Sequence, residues 1–304
     1  MYIIETFLSA LPGTVAQGII WGIMAIGVYI TYKILDVADL TVDGSICTGA
    51  AVCAVLVTSG VNVWVAMLLS VLVGMLAGLV TGIIHTFMGI PPILAGILTQ
   101  LILWSVNLKI MGKANVPLPS RLYDVIVSIG KANKSIIILV AIFAVLIALL
   151  YWFFGTEMGN SIRATGNNLN MSAAQGINNN FNKIAGLMIS NGIVAFSGAL
   201  LAQYQGYSDI NMGRGAIVIG LAAVIIGEVI FSKIARNFAV RLLSVIFGGI
   251  IYYIVYQLVI ILGIDTDLLK MLSAVVVTVF LAVPYWKKKY FNKTSTAKGV
   301  KKDA

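Results

Sequence analysis

Apolar runs of about 17 to 25 residues recur along the whole chain, each long enough to cross a bilayer as a helix. Short polar breaks divide them. The pattern predicts helices over about Thr14–Leu35, Ile46–Ser59, Val63–His85, Ile93–Ile110, Ser135–Phe154, Lys183–Tyr204, Gly215–Phe231 and Leu242–Leu262, and a last one ending at Pro284. Residues 1–12 read as an interfacial lead-in that stops at Pro12 and Gly13. A lipid-exposed backbone must satisfy its own hydrogen bonds. The expected fold is therefore all-α, one polytopic membrane helix bundle over residues 1–304 with about nine transmembrane helices. Counts of about eight to ten stay open, because a short segment such as Ile46–Ser59 fits a re-entrant helix as well.

Composition agrees. The chain is 60% hydrophobic and 10% charged, with a mean hydropathy of +1.01, outside the range of soluble domains. Its net charge of +9 is not a nucleic-acid signal, since seven of the twenty Lys and Arg residues fall in the tail 286–304. Lysines beside a final apolar helix mark the cytoplasmic side. Counting back, the basic turn 232–241 and the polar stretch 155–182 are also inside, and the acidic loop 263–270 is outside. The loop 112–134 falls outside yet carries Lys113, Arg121, Lys131 and Lys134 against Asp124, which suits a docking surface. Cys47 and Cys53 lie on different faces of one helix and read as buried packers rather than a disulfide. The N-terminus lacks the basic region of a cleavable leader. Thirty glycines fit close helix packing in a membrane.

The polar exceptions carry the functional information. Met158–Asn182 holds eight of the sixteen asparagines. A turn or two over Ser161–Thr165 is expected to break at Gly166. A second helix, Leu169–Gln175, is capped by Asn167 or Asn168 and ends at a left-handed Gly176. Such a capped piece fits a groove on another protein; an ordinary interhelical loop is the plainer reading. Asp36, Asp39 and Asp43 sit between two apolar helices, where carboxylates are costly unless paired or wet. Asp39, Thr41, Asp43, Gln100, Asn107, Gln203, Asp209 and Asn211 are candidates for a solute path, with helix capping the alternative for Asp43 and Asp209. His85 reads as a polar cap, and Glu228 as an ion pair with Lys233 or Arg236. Asp39-Leu40-Thr41-Val42 and Asp209-Ile210-Asn211-Met212 each follow one helix and open another, on opposite sides of the membrane. That arrangement points to an inverted repeat, a transporter pattern.

No G-x-x-x-x-G-K-S/T loop, metal-ligand cluster or Ser–His–Asp grouping is visible, so the chain itself has no evident site for ATP or catalysis. The segments Met158–Gly166 and Ala173–Asn178 resemble the cytoplasmic coupling segment of permease subunits of bacterial ABC importers, closest to the branched-chain amino acid and ribose permease family. Asp39–Ser45 is similar to that family's Asp-Leu-Ser-x-Gly-Ser element, and Ser197–Leu201 follows at the expected place. Where the family has a Gly-Gly pair, this chain has Gly227-Glu228. The resemblance implies a non-catalytic pore subunit in the bacterial cell membrane, with the C-terminus cytoplasmic. A second permease copy, separate ABC ATPase subunits that hydrolyse ATP, and an external solute-binding protein would complete it. It places ATPase coupling on Arg163, Gly166, Ala174, Gly176 and Asn178. The family group points to amino acids, aromatic ones among them, with a sugar or nucleoside the nearest competitor. A stand-alone ion-coupled transporter would instead use Asp39, Asp43 and Glu228 as ion-site residues.

Overall fold

The computed structural model describes residues 2–231 and 237–262 and scattered helical positions between 271 and 282. Most of the ninth expected helix, the acidic loop 263–270, the tail 286–304, Lys233 and Arg236 lie outside the described residues. Among the described residues six helical stretches are long and apolar enough to cross a membrane: Glu5–Ile34, Val63–Thr86, Pro92–Met111, Ile129–Phe153, Asn179–Gln205 and Phe238–Ile261. Two shorter apolar helices, Val42–Thr58 and Ala216–Phe231, complete a polytopic helical bundle.

The first helix, α1, runs Tyr2–Tyr29 and continues as a π-helical turn, Ile30–Ile34. Residues 1–12 are thus not a separate lead-in, because α1 passes through Pro12. Proline removes one helical hydrogen bond, and packing holds the helix there: Tyr204 donates from its hydroxyl to the Gly13 carbonyl at 3.1 Å. The chain then breaks at Asp36, whose φ of 53° ends the helix. Helix α2, Val42–Thr58, starts earlier than Ile46, which places Asp43, Gly44 and Ser45 inside its first turn. Helices α3 (Val63–Thr86) and α4 (Pro92–Met111) follow.

Strand β1 (Asn115–Pro117) interrupts the otherwise helical pattern. It is followed by α5 (Ala132–Phe153), α6 (Glu157–Asn167), α7 (Leu169–Ala174) and α8 (Asn179–Gln205). Strand β2 (Tyr207–Asp209), α9 (Ala216–Phe231) and α10 (Phe238–Ile261) complete the described order. β1 and β2 pair antiparallel, Asn115 opposite Asp209. This pairing ties the 112–134 loop to the end of α8, and three-residue strands are too short to show in a hydrophobic pattern.

Helices α1 and α8 form the centre. α1 packs on α10 and α9, and α8 packs on α3 and α2. Glycines make the contacts close: a Cβ on Gly18 or Gly22 would stand 2.7 or 2.9 Å from the Ile250 or Ile246 backbone, and one on Gly49 would strike the Ala195 carbonyl. Small residues let helix backbones approach where lipid gives no hydrophobic drive.

Candidate functional site

The two shorter helices, α2 and α9, meet inside the bundle at their N-termini. Asp43, in the first turn of α2, accepts hydrogen bonds from the amides of Gly215 at 3.0 Å and Ile217 at 2.8 Å. The carboxylate therefore caps α9 rather than its own helix, satisfying amide groups that a helix start leaves unpaired. From this meeting point the two helices run apart. The far end of α2 joins Met111 and Val116, while the last turn of α9 carries Glu228, which pairs with Lys33 at 2.8 Å. The sequence pattern does not single out Lys33; Lys233 and Arg236, the partners expected for Glu228, lie outside the described residues.

Beside the meeting point lies a cavity of about 250 Å³. Asp43, Gly44 and Cys47 line it from α2, and Gln100, Leu101, Trp104 and Asn107 from α4. Ile210 and Arg214 close it from the turn before α9. Of the eight residues expected on a solute path, Asp43, Gln100 and Asn107 converge here. Arg214, Cys47 and Trp104 are additions that the linear pattern does not mark. Cys47 is held in place as the Gly213 amide donates to its sulfur at 3.0 Å, and both cysteines are free and buried.

Asp39 and Thr41 lie in a different, fully paired cluster. Asp39 accepts from the Thr41 amide at 2.9 Å and from Asn191 Nδ2 at 2.7 Å. Ser45 donates to Asn191 Oδ1 at 2.6 Å, and the Thr41 and Thr81 hydroxyls bond at 2.7 Å. The cluster fastens the connection between α1 and α2 to α8 and α3. Asn191, buried within an apolar helix, is the residue that makes it possible. Gln203 accepts from the Ile126 amide at 3.0 Å, anchoring the 112–134 loop. Asp209 accepts from the Asn211 amide at 2.8 Å in a tight local turn, and Asn211 is exposed.

The polar segment folds as two short helices. Thr156 starts α6 by accepting from the Gly159 amide. Gly166 does not break α6, which continues to Asn167. The missing side chain serves a contact: a Cβ there would run into the carbonyl of Ile34 at the end of α1. Asn168 caps α7, accepting from Asn170 and Met171 amides at 3.0 Å each. Gly176 closes the pair with φ 78° and open space around it. Asn178 caps α8 by accepting from the Phe181 amide at 3.1 Å.

The five expected coupling residues therefore divide by position. Ala174, Gly176 and Asn178 are exposed, in company with the exposed side chains of Leu169, Met171 and Phe181. Arg163 and Gly166 face the bundle. The Arg163 guanidinium lies 4.3 Å from the Phe238 ring centroid and 5.3 Å from that of Phe154, a cation–π seat. Partial burial draws its pKa down, neighbouring Arg241 adds to this, and Tyr29 opposes it; a guanidinium stays charged regardless.

Residues 11–282 match the family described as branched-chain amino acid transport system, permease component. The chain belongs to this family. As a permease it is a membrane-spanning, non-catalytic subunit of a transport system. It is 42% identical over 277 residues to a tyrosine transport system permease protein of Clostridioides difficile, covering 90% of this chain and 91% of that one. It is 31% identical over 268 residues to an uncharacterised protein of Rickettsia prowazekii, covering 88% and 94% of the two chains. It is also 27% identical over 216 residues to the D-allose transport system permease protein of Escherichia coli, covering 70% of this permease and 64% of that relative. No solved structure gives a significant match.

Proposed function

We propose that this permease is the transmembrane pore subunit of an ATP-binding cassette importer for a small polar solute, an amino acid. An external binding protein delivers the solute, a separate ATPase subunit hydrolyses ATP, and a second permease copy completes the pore. The observation that carries the amino acid reading is the 42% identity, over nine-tenths of both chains, to a permease named for tyrosine transport. A sugar is the second reading, favoured by the more distant D-allose relative.

The geometry supports a path and a handle. The path passes the α2–α9 meeting point, with Asp43, Gln100 and Asn107 at the cavity and Asp39 and Thr41 fixing the helix connection behind it. Gln203, Asp209 and Asn211 shape the end nearer the β1–β2 pair. The handle is residues 155–182, within a single permease domain. Its exposed tip, Leu169, Met171, Ala174, Gly176 and Phe181, offers an apolar patch of the kind an amphipathic helix presses into a groove. Arg163 and Gly166 seat it rigidly on α1 and α10, so a shift of the tip moves the bundle ends with it.

An orientation with segment 155–182 and tail 286–304 in the cytoplasm follows the positive-inside rule. The packing also supports an inverted repeat: α1 on α9 and α10 is the counterpart of α8 on α2 and α3. In that arrangement the apolar run that ends at Pro284 is the ninth crossing.

Affinity capture of the tagged permease in mild detergent, with mass spectrometry of its partners, tests this reading. A copy carrying Ala174→Glu and Gly176→Pro is captured in parallel. An ATP-binding protein that accompanies the unaltered chain and not the altered one is expected. An unaltered complex that keeps its fold and carries no ATPase overturns the importer reading and returns attention to Asp39, Asp43 and Glu228 as ion-coupling groups.

A further inference from the structure

Asn107 is 1% exposed, and neither its amide nitrogen nor its carbonyl oxygen has a hydrogen-bond partner. Among the described residues no other buried side-chain amide is left so. Burying a polar group unpaired costs stability, and native proteins keep few of them. Trp21 Nε1 shares this state among the described residues, and the other buried polar side chains follow the rule. Thr99, two turns earlier on the same buried stripe of α4, donates to the Ala95 carbonyl at 3.0 Å, and buried Asn182 and Asn191 each make more than one bond. Asn107 instead lines the cavity at the α2–α9 meeting point.

That cavity presents both signs of charge. The Asp43 carboxylate borders it. Arg214 lines it as well, and its guanidinium has no ion pair among the described residues. Leu101 and Trp104 supply an apolar wall. At about 250 Å³ it falls just below the usual range of roughly 300–1,000 Å³ for drug-sized pockets, so it suits one small solute.

We infer that this cavity is a solute-selecting site within the permease itself, taking a zwitterionic α-amino acid, with Asn107 as a specificity-determining residue. The inference rests on the amino acid reading above and deepens it. The solute carboxylate pairs with Arg214 in the two-pronged way a guanidinium favours, and its ammonium faces Asp43. Asn107 donates to and accepts from the polar groups between them, and the solute side chain lies on Trp104 and Leu101. A neutral sugar offers Arg214 no carboxylate and Asp43 no ammonium, and leaves Asn107 between groups it is not placed to bridge, so the site disfavours it.

The test is equilibrium binding of radiolabelled L-amino acids, as a panel, to the full-length permease in lipid nanodiscs without binding protein or ATP. The expected result is binding that unlabelled amino acid displaces, and that the amine lacking only the carboxylate, or a hexose, does not. Asn107→Leu and Arg214→Gln are each expected to weaken binding by about tenfold, the effect of losing one charged or polar contact to the solute. Asn107→Leu should do so while melting at or above the temperature of the unaltered protein, a combination that a merely structural asparagine does not give. Absence of amino acid binding, or equal binding by both variants, overturns the inference. If Asn107→Leu does not fold, Arg214→Gln alone decides, as its side chain is exposed at the cavity rim. Because the assay needs no ATPase, failure of the capture experiment above leaves this readout intact, and the two readings stand or fall separately.

Discussion

The same residue type is used in opposite ways in two regions of this permease. In the polar segment asparagines are abundant, and those that shape it are bonded. Asn168 and Asn178 cap helices, Asn179 accepts from Ser172 at 2.6 Å, and Asn182 donates to Ser161 at 2.7 Å and Thr165 at 2.9 Å. At the cavity a single asparagine, Asn107, is buried in an apolar helix with nothing to bond. Paired amides give a short segment a definite shape in water, where a run of this composition would otherwise stay flexible. An unpaired amide gives the bundle no shape at all and lowers its stability. The first is what a rigid handle for a partner protein needs; the second is reserved for a molecule that is not part of the fold.

The largest expected effect breaks the handle from the bundle. Gly166→Val places carbon atoms into the Ile34 carbonyl and within 2.8 Å of Leu35 Cα. Those are backbone atoms that cannot swing aside, so the cost lies at or above the roughly 1–3 kcal/mol typical of over-packing. The variant is expected to lose ATPase capture and to melt several degrees lower. Normal capture and melting would show that α6 does not need its seat on α1.

Next comes a matched pair that sharpens the contrast, Asn182→Leu against Asn107→Leu. The first removes two bonds and leaves the Ser161 hydroxyl short of a partner, a cost of about 1–3 kcal/mol. The second removes an unpaired amide and is expected to be neutral or stabilising. The melting temperature should fall for the first purified variant and hold or rise for the second. Equal losses would mean that Asn107 has a bonding role in the fold.

A smaller effect is expected at Asn168→Ala, which deletes the cap of α7. Cap loss costs about 1 kcal/mol. With only six residues the helix has little else to hold it. Hydrogen exchange at the amides of Asn170 and Met171 should speed up by about fivefold, the rate equivalent of that energy, while the membrane helices keep their protection.

Much of this was legible in the sequence, for identifiable reasons. Period-free apolar runs locate membrane helices, and eight of the expected segments have helical counterparts among the described residues. The Asn168 cap and the left-handed Gly176 were readable because capping chemistry is local. What failed to show was long-range. Gly166 looks like a helix breaker in sequence, and only its approach to Ile34 explains it. Asp43 resembles a cap for its own helix, yet its acceptors serve amides more than 170 residues away. Arg214 and Asn191 acquire meaning only once α8 and the turn before α9 are brought against α2. The β1–β2 pairing is invisible for the same reason.

The smallest effect is expected at the Lys33–Glu228 pair, which joins the end of α1 to the end of α9 beside the handle. The side chains are 36% and 39% exposed, so water screens the 2.8 Å contact. Pairs in such positions contribute about 0–1 kcal/mol. Glu228→Gln keeps the shape and removes the charge, and should lower the melting temperature by no more than a few degrees at low salt. Near 1 M salt the screening length falls to about 3 Å, and the difference between variant and unaltered protein should vanish. A loss above about 2 kcal/mol exceeds what an exposed pair supplies, and if it also persists in salt it would mean that the pair is shielded in the assembled transporter. It would then belong with the handle as a fixed joint between the coupling segment and α9, which begins at the cavity.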